Sequence, residues 1–172
     1  METPRLRLRP LRQSDAQAIF DGWTQDARVA QYCRWHPHTS IEMTQNWLAA
    51  CMDSTTPYYP YRFVITLKDS DEPIGCIDVV EISDDRTTAE IGYVLAYSHW
   101  NKGYMTEVLE VMIAHLFACG LKTVVARHHI DNHASGKVME KCGMHYVGTE
   151  ETQEKFGSEK TVQVKRYAIS QQ

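Results

Sequence analysis

The sequence lacks the features that define membrane, secreted and zinc-binding proteins. No apolar run approaches the roughly 18 residues needed to cross a bilayer, and the first five residues form no apolar signal segment. The five cysteines are scattered along the chain without a Cys-x-x-Cys pair, which argues against a disulfide framework and a zinc knuckle. We therefore expect a cytoplasmic protein without a membrane partner, whose thiols are reduced and lie mostly in the core.

Positive charge is also scarce, and two phosphate-binding signatures are absent. The formal net charge of −4 provides no general basic face, so no nucleic-acid partner is expected. The sequence contains neither the Walker loop Gly-x-x-x-x-Gly-Lys-Ser/Thr nor the Rossmann fingerprint Gly-x-Gly-x-x-Gly, which argues against nucleoside triphosphate hydrolysis. Four arginines near the start alternate with leucines, a pattern typical of a strand with a solvated polar face: Arg5, Arg7, Arg9 and Arg12.

The hydrophobic pattern that is present fits one mixed α/β domain. A chain of 172 residues that is 43% hydrophobic is long enough to bury a substantial core. Alternating and β-branched residues predict strands over residues 5–12, 61–68, 73–82, 87–97, 122–129, 144–151 and 161–169. Helical spacing predicts short helices between residues 14 and 54, a long helix that Gly120 ends, and another between Asn132 and Gly143. The order predicts an antiparallel meander, then strand, helix, strand, helix and a final hairpin.

A short loop before the long helix has the properties of an anion site. Unpaired N–H groups and the helix dipole favour a phosphate at a helix N-terminus, Gly103 permits close approach of the backbone, and Lys102 adds positive charge. A helix start that merely contains a glycine explains the loop equally well. The segment comprises Trp100, Asn101, Lys102, Gly103, Tyr104, Met105 and Thr106.

This loop, the strand before it and the helix after it resemble the acyl-CoA-binding core of the GNAT acetyltransferase superfamily. The superfamily loop reads Gln/Arg-x-x-Gly-x-Gly/Ala, and this chain has Trp100-x-x-Gly103-x-Met105, so Met105 departs from the pattern and its side chain must point away from the diphosphate. The run Trp-x-Lys-Gly-Tyr-x-Thr-Glu, residues 3–11 and residues 132–144 resemble the RimJ/RimL-like ribosomal-protein N-acetyltransferases. The resemblance covers nearly the whole chain. It implies a mostly antiparallel sheet with a splayed parallel strand pair and helices on both faces.

The resemblance also implies acetyl-CoA as cosubstrate, with its pantetheine arm between strands 87–97 and 122–129. The arm would meet the backbone of Tyr93, Val94 and Leu95, and an amide near Val94 would polarise the thioester carbonyl. The diphosphate would lie on Trp100 to Thr106, and Asn132 and Ser135 would complete the cofactor site. Asn132 has an alternative role as a helix cap only. No metal is required, and His129 and His133 predict none because a strand ends between them.

Two residues are the candidates for proton transfer by this resemblance. Glu90 is the candidate general base, with Glu81 in reserve, although Glu90 is equally well explained as a paired structural carboxylate. Ser135 is the candidate general acid, because Met139 stands where many GNAT enzymes have a tyrosine, and a small residue in the first turn of a helix is its alternative role.

The acceptor implied by the resemblance is a primary amine, and a protein N-terminal α-amine is favoured. Acetylation of a small amine, such as an antibiotic, a polyamine or an amino acid, is the alternative enzyme function. A non-catalytic acyl-CoA-binding module is the alternative from another class, because a fold does not imply a function. Both a monomer and a homodimer are compatible with the sequence.

Overall fold

A seven-stranded mixed sheet organises the protein in the computed structural model, which describes residues 1–56 and 58–171. The strand order is β1-β2-β3-β4-β5-β7-β6. The strands are β1 (Leu6–Arg9), β2 (Arg62–Leu67), β3 (Pro73–Ile82), β4 (Thr88–Leu95), β5 (Thr123–His129), β6 (His145–Gln153) and β7 (Thr161–Ser170). All seven predicted strands are present, and most ends agree with the sequence prediction to within two residues.

The parallel pair β4–β5 opens along its length, as predicted. Register pairs run only from Thr88–Thr123 to Ile91–Ala126. Beyond them β4 stays paired with β3 up to Leu95, while β5 stays paired with β7 up to His129. A gap therefore opens in the sheet after Ile91, and every other pair of neighbouring strands is antiparallel.

Helices cover both faces of the sheet. The helices are α1 (Ala16–Ile19, continued by one wide turn, Phe20–Thr24), α2 (Ala27–Ala30), α3 (Ile41–Cys51), α4 (Tyr104–Ala118) and α5 (His133–Lys141). Helix α4, the long helix predicted to end at Gly120, buries an apolar stripe that includes Leu109 and Met112 in a core that also contains Met139 of α5. Side chains of α1 to α3, with Leu48 at their centre, form a second core on the opposite face.

The prediction of a solvated arginine face on β1 is wrong at Arg9. Its guanidinium forms two hydrogen bonds with the Asp15 carboxylate, 2.8 and 2.9 Å long, and the two side chains are only 8% and 6% exposed. The strand also ends at Arg9 rather than Arg12, because the next residue, Pro10, has no N–H to donate to a neighbouring strand. The Arg12 N–H instead donates to Asp15 over 2.9 Å.

No helix among the described residues is long and apolar enough to span a membrane. The expectation about the thiols is confirmed only in part, because Cys51 and Cys76 are buried, Cys33 and Cys142 are half-buried, and Cys119 is exposed.

Candidate active site

A cavity of about 610 Å³ occupies the gap beside β4. Its walls are the end of β4, the loop before α4, the first turns of α5, and α2 with the residues that follow it. Every predicted cofactor-binding residue except Lys102 lines this cavity: Tyr93, Val94, Leu95, Trp100, Asn101, Gly103, Tyr104, Met105, Thr106, Asn132 and Ser135. The fold thus brings two segments separated by about 30 residues in sequence to one site.

Alternation along β4 decides which peptide groups face the gap. The Ala96 N–H donates to Ile74 O over 2.8 Å, and Ser83 N–H donates to Thr88 O, so even-numbered peptide groups point toward β3. The peptide groups of Tyr93 and Leu95 therefore point toward the gap. The N–H groups of Tyr93 and Leu95 are therefore available to an extended ligand in the gap. The N–H of Val94, the third predicted residue, is directed toward β3. Trp100 Nε1 donates to Leu95 O over 2.7 Å, which fixes the loop against the strand end.

Two left-handed residues shape the loop before α4. Asn101 has φ 59° and Gly103 has φ 76°, a region that glycine and asparagine tolerate best. No side chain caps α4, so its first amides lie at the cavity wall without an intrahelical acceptor. Arg5 of the preceding segment stabilises the loop, because its side chain donates hydrogen bonds to Lys102 O and to the Glu107 carboxylate, each over 2.9 Å.

Residues 5–145 match the acetyltransferase (GNAT) domain family. The chain belongs to the GNAT family. The uncharacterized N-acetyltransferase YoaA of Bacillus subtilis (strain 168) is 31% identical over 149 residues, which are 86% of this chain and 84% of YoaA. The crystal structure of a GNAT-family acetyltransferase from Bacillus anthracis has a TM-score of 0.84 and 25% identity, and the match covers 99% of this chain and 97% of that one. These similarities confirm the predicted GNAT fold and acyltransferase class.

Two further solved structures share the GNAT fold with this chain but differ in their named acceptors. RimL, a ribosomal L7/L12 α-N-protein acetyltransferase in complex with coenzyme A, has a TM-score of 0.81 and 22% identity, with 98% of this chain and 95% of RimL covered. A spermidine N-acetyltransferase from Vibrio cholerae, in complex with CoA and spermine, has a TM-score of 0.79 and 22% identity, with 96% and 95% covered. At this identity each comparison establishes the fold alone.

The cavity has the charge and backbone geometry that a coenzyme A ligand requires. The diphosphate of coenzyme A matches the uncapped start of α4. Met105 lines the cavity there, and its side chain is buried in the core. Lys137 and Lys141 at the cavity wall suit further phosphate groups, and the third cation there, Arg28, is already paired with Asp26 at 2.6 Å. The sequence analysis missed all three, although the i, i+4 spacing of the two lysines on the predicted helix after Asn132 would have placed them on one side.

A pair of hydroxyl groups lies at the cavity wall between β4 and α5. Tyr93 Oη is 2.8 Å from Ser135 Oγ, and it donates to Ser135 O over 3.2 Å. Burial raises the pKa of the Tyr93 phenol, so the group stays protonated and can donate at neutral pH. Asn132 Oδ1 accepts from the Ser135 N–H over 3.3 Å, so Asn132 caps α5 and also lines the cavity. The sequence analysis considered only the backbone of Tyr93 and missed its side chain.

Glu90 lies outside the cavity wall and is held by an arginine that the sequence analysis did not consider. Arg127 of β5 donates from Nε to Glu90 Oε1 over 2.8 Å, and its Nη2 is 2.7 Å from Oε2. Arg127 also contacts Glu150 at 3.3 Å and Glu81, which is 68% exposed, at 4.0 Å. Burial raises the pKa of the Glu90 carboxyl, and the ion pair with Arg127 opposes this shift.

Within residues 1–56 and 58–171, no group of three His, Cys, Asp or Glu side chains is arranged to hold a metal ion. His129 and His133 do not form the i, i+4 pair of one helix, because β5 ends at His129 and α5 begins at His133.

Proposed function

We propose that this protein transfers the acetyl group of acetyl-CoA to a protein N-terminal α-amine. The observation that carries this proposal is the cavity itself, which joins the uncapped start of α4 to the open edge of β4. In this proposal the diphosphate binds at the start of α4 and the thioester lies at the open edge of β4. One continuous domain supplies both parts, and the cytoplasmic location and the oligomeric state stay predictions.

Acetyl-CoA supplies the acetyl group as an activated thioester, and residues of the chain polarise its carbonyl group and transfer the protons. In this proposal the Tyr93 or Leu95 N–H donates to the thioester carbonyl, where negative charge develops during attack. Glu90 accepts the proton that the amine loses, directly or through water. The Ser135 hydroxyl, with the Tyr93 hydroxyl beside it, returns a proton to the leaving sulfur. Positioning of amine and thioester in one cavity contributes a further part of the rate.

The resemblance to RimJ/RimL-like enzymes favours a protein N-terminus as acceptor. The structural similarity to a spermidine N-acetyltransferase keeps a small amine as the second candidate. A flexible peptide requires an open groove, whereas a small amine is enclosed on most sides. Activity on peptides of increasing length therefore distinguishes between these two classes of acceptor.

The test combines coenzyme A binding with thiol release. We expect isothermal titration of the purified protein with CoA to give a saturable heat, because the first amides of α4 and the cavity cations offer a preformed site. We expect acetyl-CoA with N-terminal peptides and small amines to release free thiol fastest with a peptide. Absence of heat would refute the cofactor site, and heat without thiol release from any amine would favour a non-catalytic acyl-CoA-binding module.

Substitution of Gly103 by valine should weaken coenzyme A binding by about tenfold or more, because a β-branched residue at φ 76° strains the loop that the diphosphate needs. Gly157→Val is the matched control, since Gly157 has φ 79° with no atom within 4 Å of its ideal Cβ and lies in the β6–β7 turn. Titration calorimetry should give an unchanged Kd for the control. Equal losses of affinity in both variants would show that backbone strain, and not the loop, controls binding.

Ser135→Ala should lower kcat by about 100-fold, the lower end for loss of a general acid, and change the CoA Kd by a much smaller factor. Tyr93→Phe removes the neighbouring hydroxyl and keeps the ring, so its effect on kcat should have the same direction and be smaller. Steady-state thiol release and calorimetry measure both quantities. An unchanged kcat in Ser135→Ala would exclude this serine as the acid.

A further inference from the structure

A carboxylate that the proposed chemistry does not use lies on β3, across β4 from the gap in the sheet and outside the wall of the cavity. Asp78 is the register partner of Gly92 on β4, and Gly92 is one residue beyond Ile91, the last β4 residue that pairs with β5. Val94, at the cavity wall, lies two residues further on the same face of β4, which corresponds to about 7 Å along a strand. Glu90 lies four residues from Val94 along the same strand and is therefore about twice as far away.

The Asp78 carboxylate has no hydrogen-bond donor among the described residues. Its closest cation is Arg62 of β2, whose Nε lies 3.7 Å from Oδ2, beyond hydrogen-bond distance, and is itself buried without a partner. The Asp78 side chain is 30% exposed, so its oxygens are accessible to a ligand. A partly desolvated carboxylate that lacks donors binds an incoming N–H group strongly.

Gly92 lies between this carboxylate and the side chain of Val80. A Cβ atom at Gly92 would lie 3.7 Å from Asp78 Oδ1 and 3.1 Å from a methyl group of Val80. Val80 is 44% exposed. The surface at Gly92 therefore has a carboxylate on one side and an apolar group on the other, which suits an ammonium group attached to an aliphatic carbon.

Glu90 and Asp78 differ in how their charges are balanced. Arg127 forms two contacts below 3 Å with Glu90, whereas Arg62 forms none with Asp78. Asp78 has an ion pair with Arg62 but no hydrogen bond, so its oxygens keep their capacity to accept N–H groups from a protonated amine.

We propose that Asp78 binds the acceptor as its ammonium ion, over Gly92 and against Val80. One proton of the ammonium group then passes through the Asp78 carboxylate to solvent, and the neutral amine attacks the thioester beside Val94 while Glu90 accepts the second proton. Asp78 is thus an acceptor-binding residue that selects cationic acceptors. This inference rests on the proposed acetyltransferase function and adds the recognition of the acceptor to it.

The test is the kinetics of Asp78→Asn with the best amine of the thiol-release panel. We expect the KM for the amine to rise about 10- to 100-fold, the loss for a hydrogen bond to a charged group, with the KM for acetyl-CoA unchanged. Asp84→Asn is the matched control, because it makes the same substitution and removes the same charge at an exposed residue in the turn between β3 and β4. Asp78→Glu keeps the charge and should restore part of the affinity.

The pH dependence gives a second measurement. Burial raises the pKa of the Asp78 carboxyl to about 6, and Arg62 opposes the shift. The other ionisable groups near it are the Cys51 thiol of α3 and the Cys76 thiol of β3, whose own pKa values are raised by burial. The carboxylate becomes neutral as the pH falls through 6, so the wild-type KM for the amine should rise there and the Asp78→Asn value should not.

Each outcome is decisive for this inference. Because the ionised form of a carboxyl with a raised pKa is destabilising in the fold, Asp78→Asn should remain folded at pH 7. Equal KM values for Asp78→Asn and Asp84→Asn, or a flat wild-type KM between pH 5 and 7, would overturn it. If the wild type turns over and Asp78→Asn has the same KM for the amine, this inference alone is refuted. If the wild type does not bind CoA, the proposed function is refuted.

Discussion

Replacement of Glu90 by glutamine should lower kcat by about 100-fold or more, because the amide cannot accept the proton that the attacking amine loses. The carboxylate lies on the same face of β4 as Val94, and burial has raised its pKa toward the range useful to a general base. Steady-state thiol release with saturating amine measures kcat, and calorimetry should give an unchanged Kd for CoA.

The matched control for this substitution is Glu150→Gln. Glu150 contacts the same Arg127, at 3.3 Å, but lies on β6, away from the gap. Both variants remove one negative charge from Arg127, so a purely structural role predicts similar kcat values for the two. A large loss of kcat in Glu90→Gln alone supports the base. Equal effects would identify Glu90 as a counter-ion of Arg127 and leave the reaction without its proposed base.

Replacement of Arg9 by methionine should lower the free energy of unfolding by about 3–5 kcal/mol, because the Asp15 carboxylate then stays buried without its partner. Asp15 has an additional bond from the Arg12 N–H, which does not balance its charge. The pair joins the end of β1 to the start of α1, and the loss should therefore loosen the helices that cover one face of the sheet. Urea unfolding monitored by circular dichroism measures the effect.

Arg12→Met is the control, because Arg12 also contacts Asp71, at 3.4 Å, but its side chain is 59% exposed. Exposed ion pairs contribute about 1 kcal/mol or less, so this variant should keep nearly the full stability. If the two variants unfold at the same urea concentration, the Arg9–Asp15 pair does not stabilise the fold to the extent that its burial indicates.

The sequence predicted the elements of the site better than the contacts within it. Trp100, Gly103 and Ser135 lie in segments whose turn and cap signals are local, and the cavity joins these segments. Arg127 could not be predicted as the partner of Glu90, because their approach depends on the parallel register of β4 and β5. The cofactor-site roles of these residues stay predictions until the variants are measured.

Asp78 also lies in an element that the sequence predicted and makes contacts that the sequence did not predict. In the sequence it is one acidic residue in a β-branched run, and the run was correctly predicted as a strand over residues 73–82. Asp78 lies opposite Gly92 because of the antiparallel register of β3 with β4. The register shifts between Val79 and Glu81, which changes the pairing of the residues that follow. No residue pattern within a single strand specifies that register.

By itself, the sequence determined the succession of strands and helices along the chain, because this follows from periodicity and local turn signals, and its resemblance to known proteins indicated the GNAT family. The tertiary structure alone decided that Arg9 is buried, that Arg127 holds Glu90, and that the Tyr93 and Ser135 hydroxyls meet. The physical reason is that burial and pairing of polar groups depend on residues distant in sequence, whose separation is fixed only when the sheet and its helices pack together.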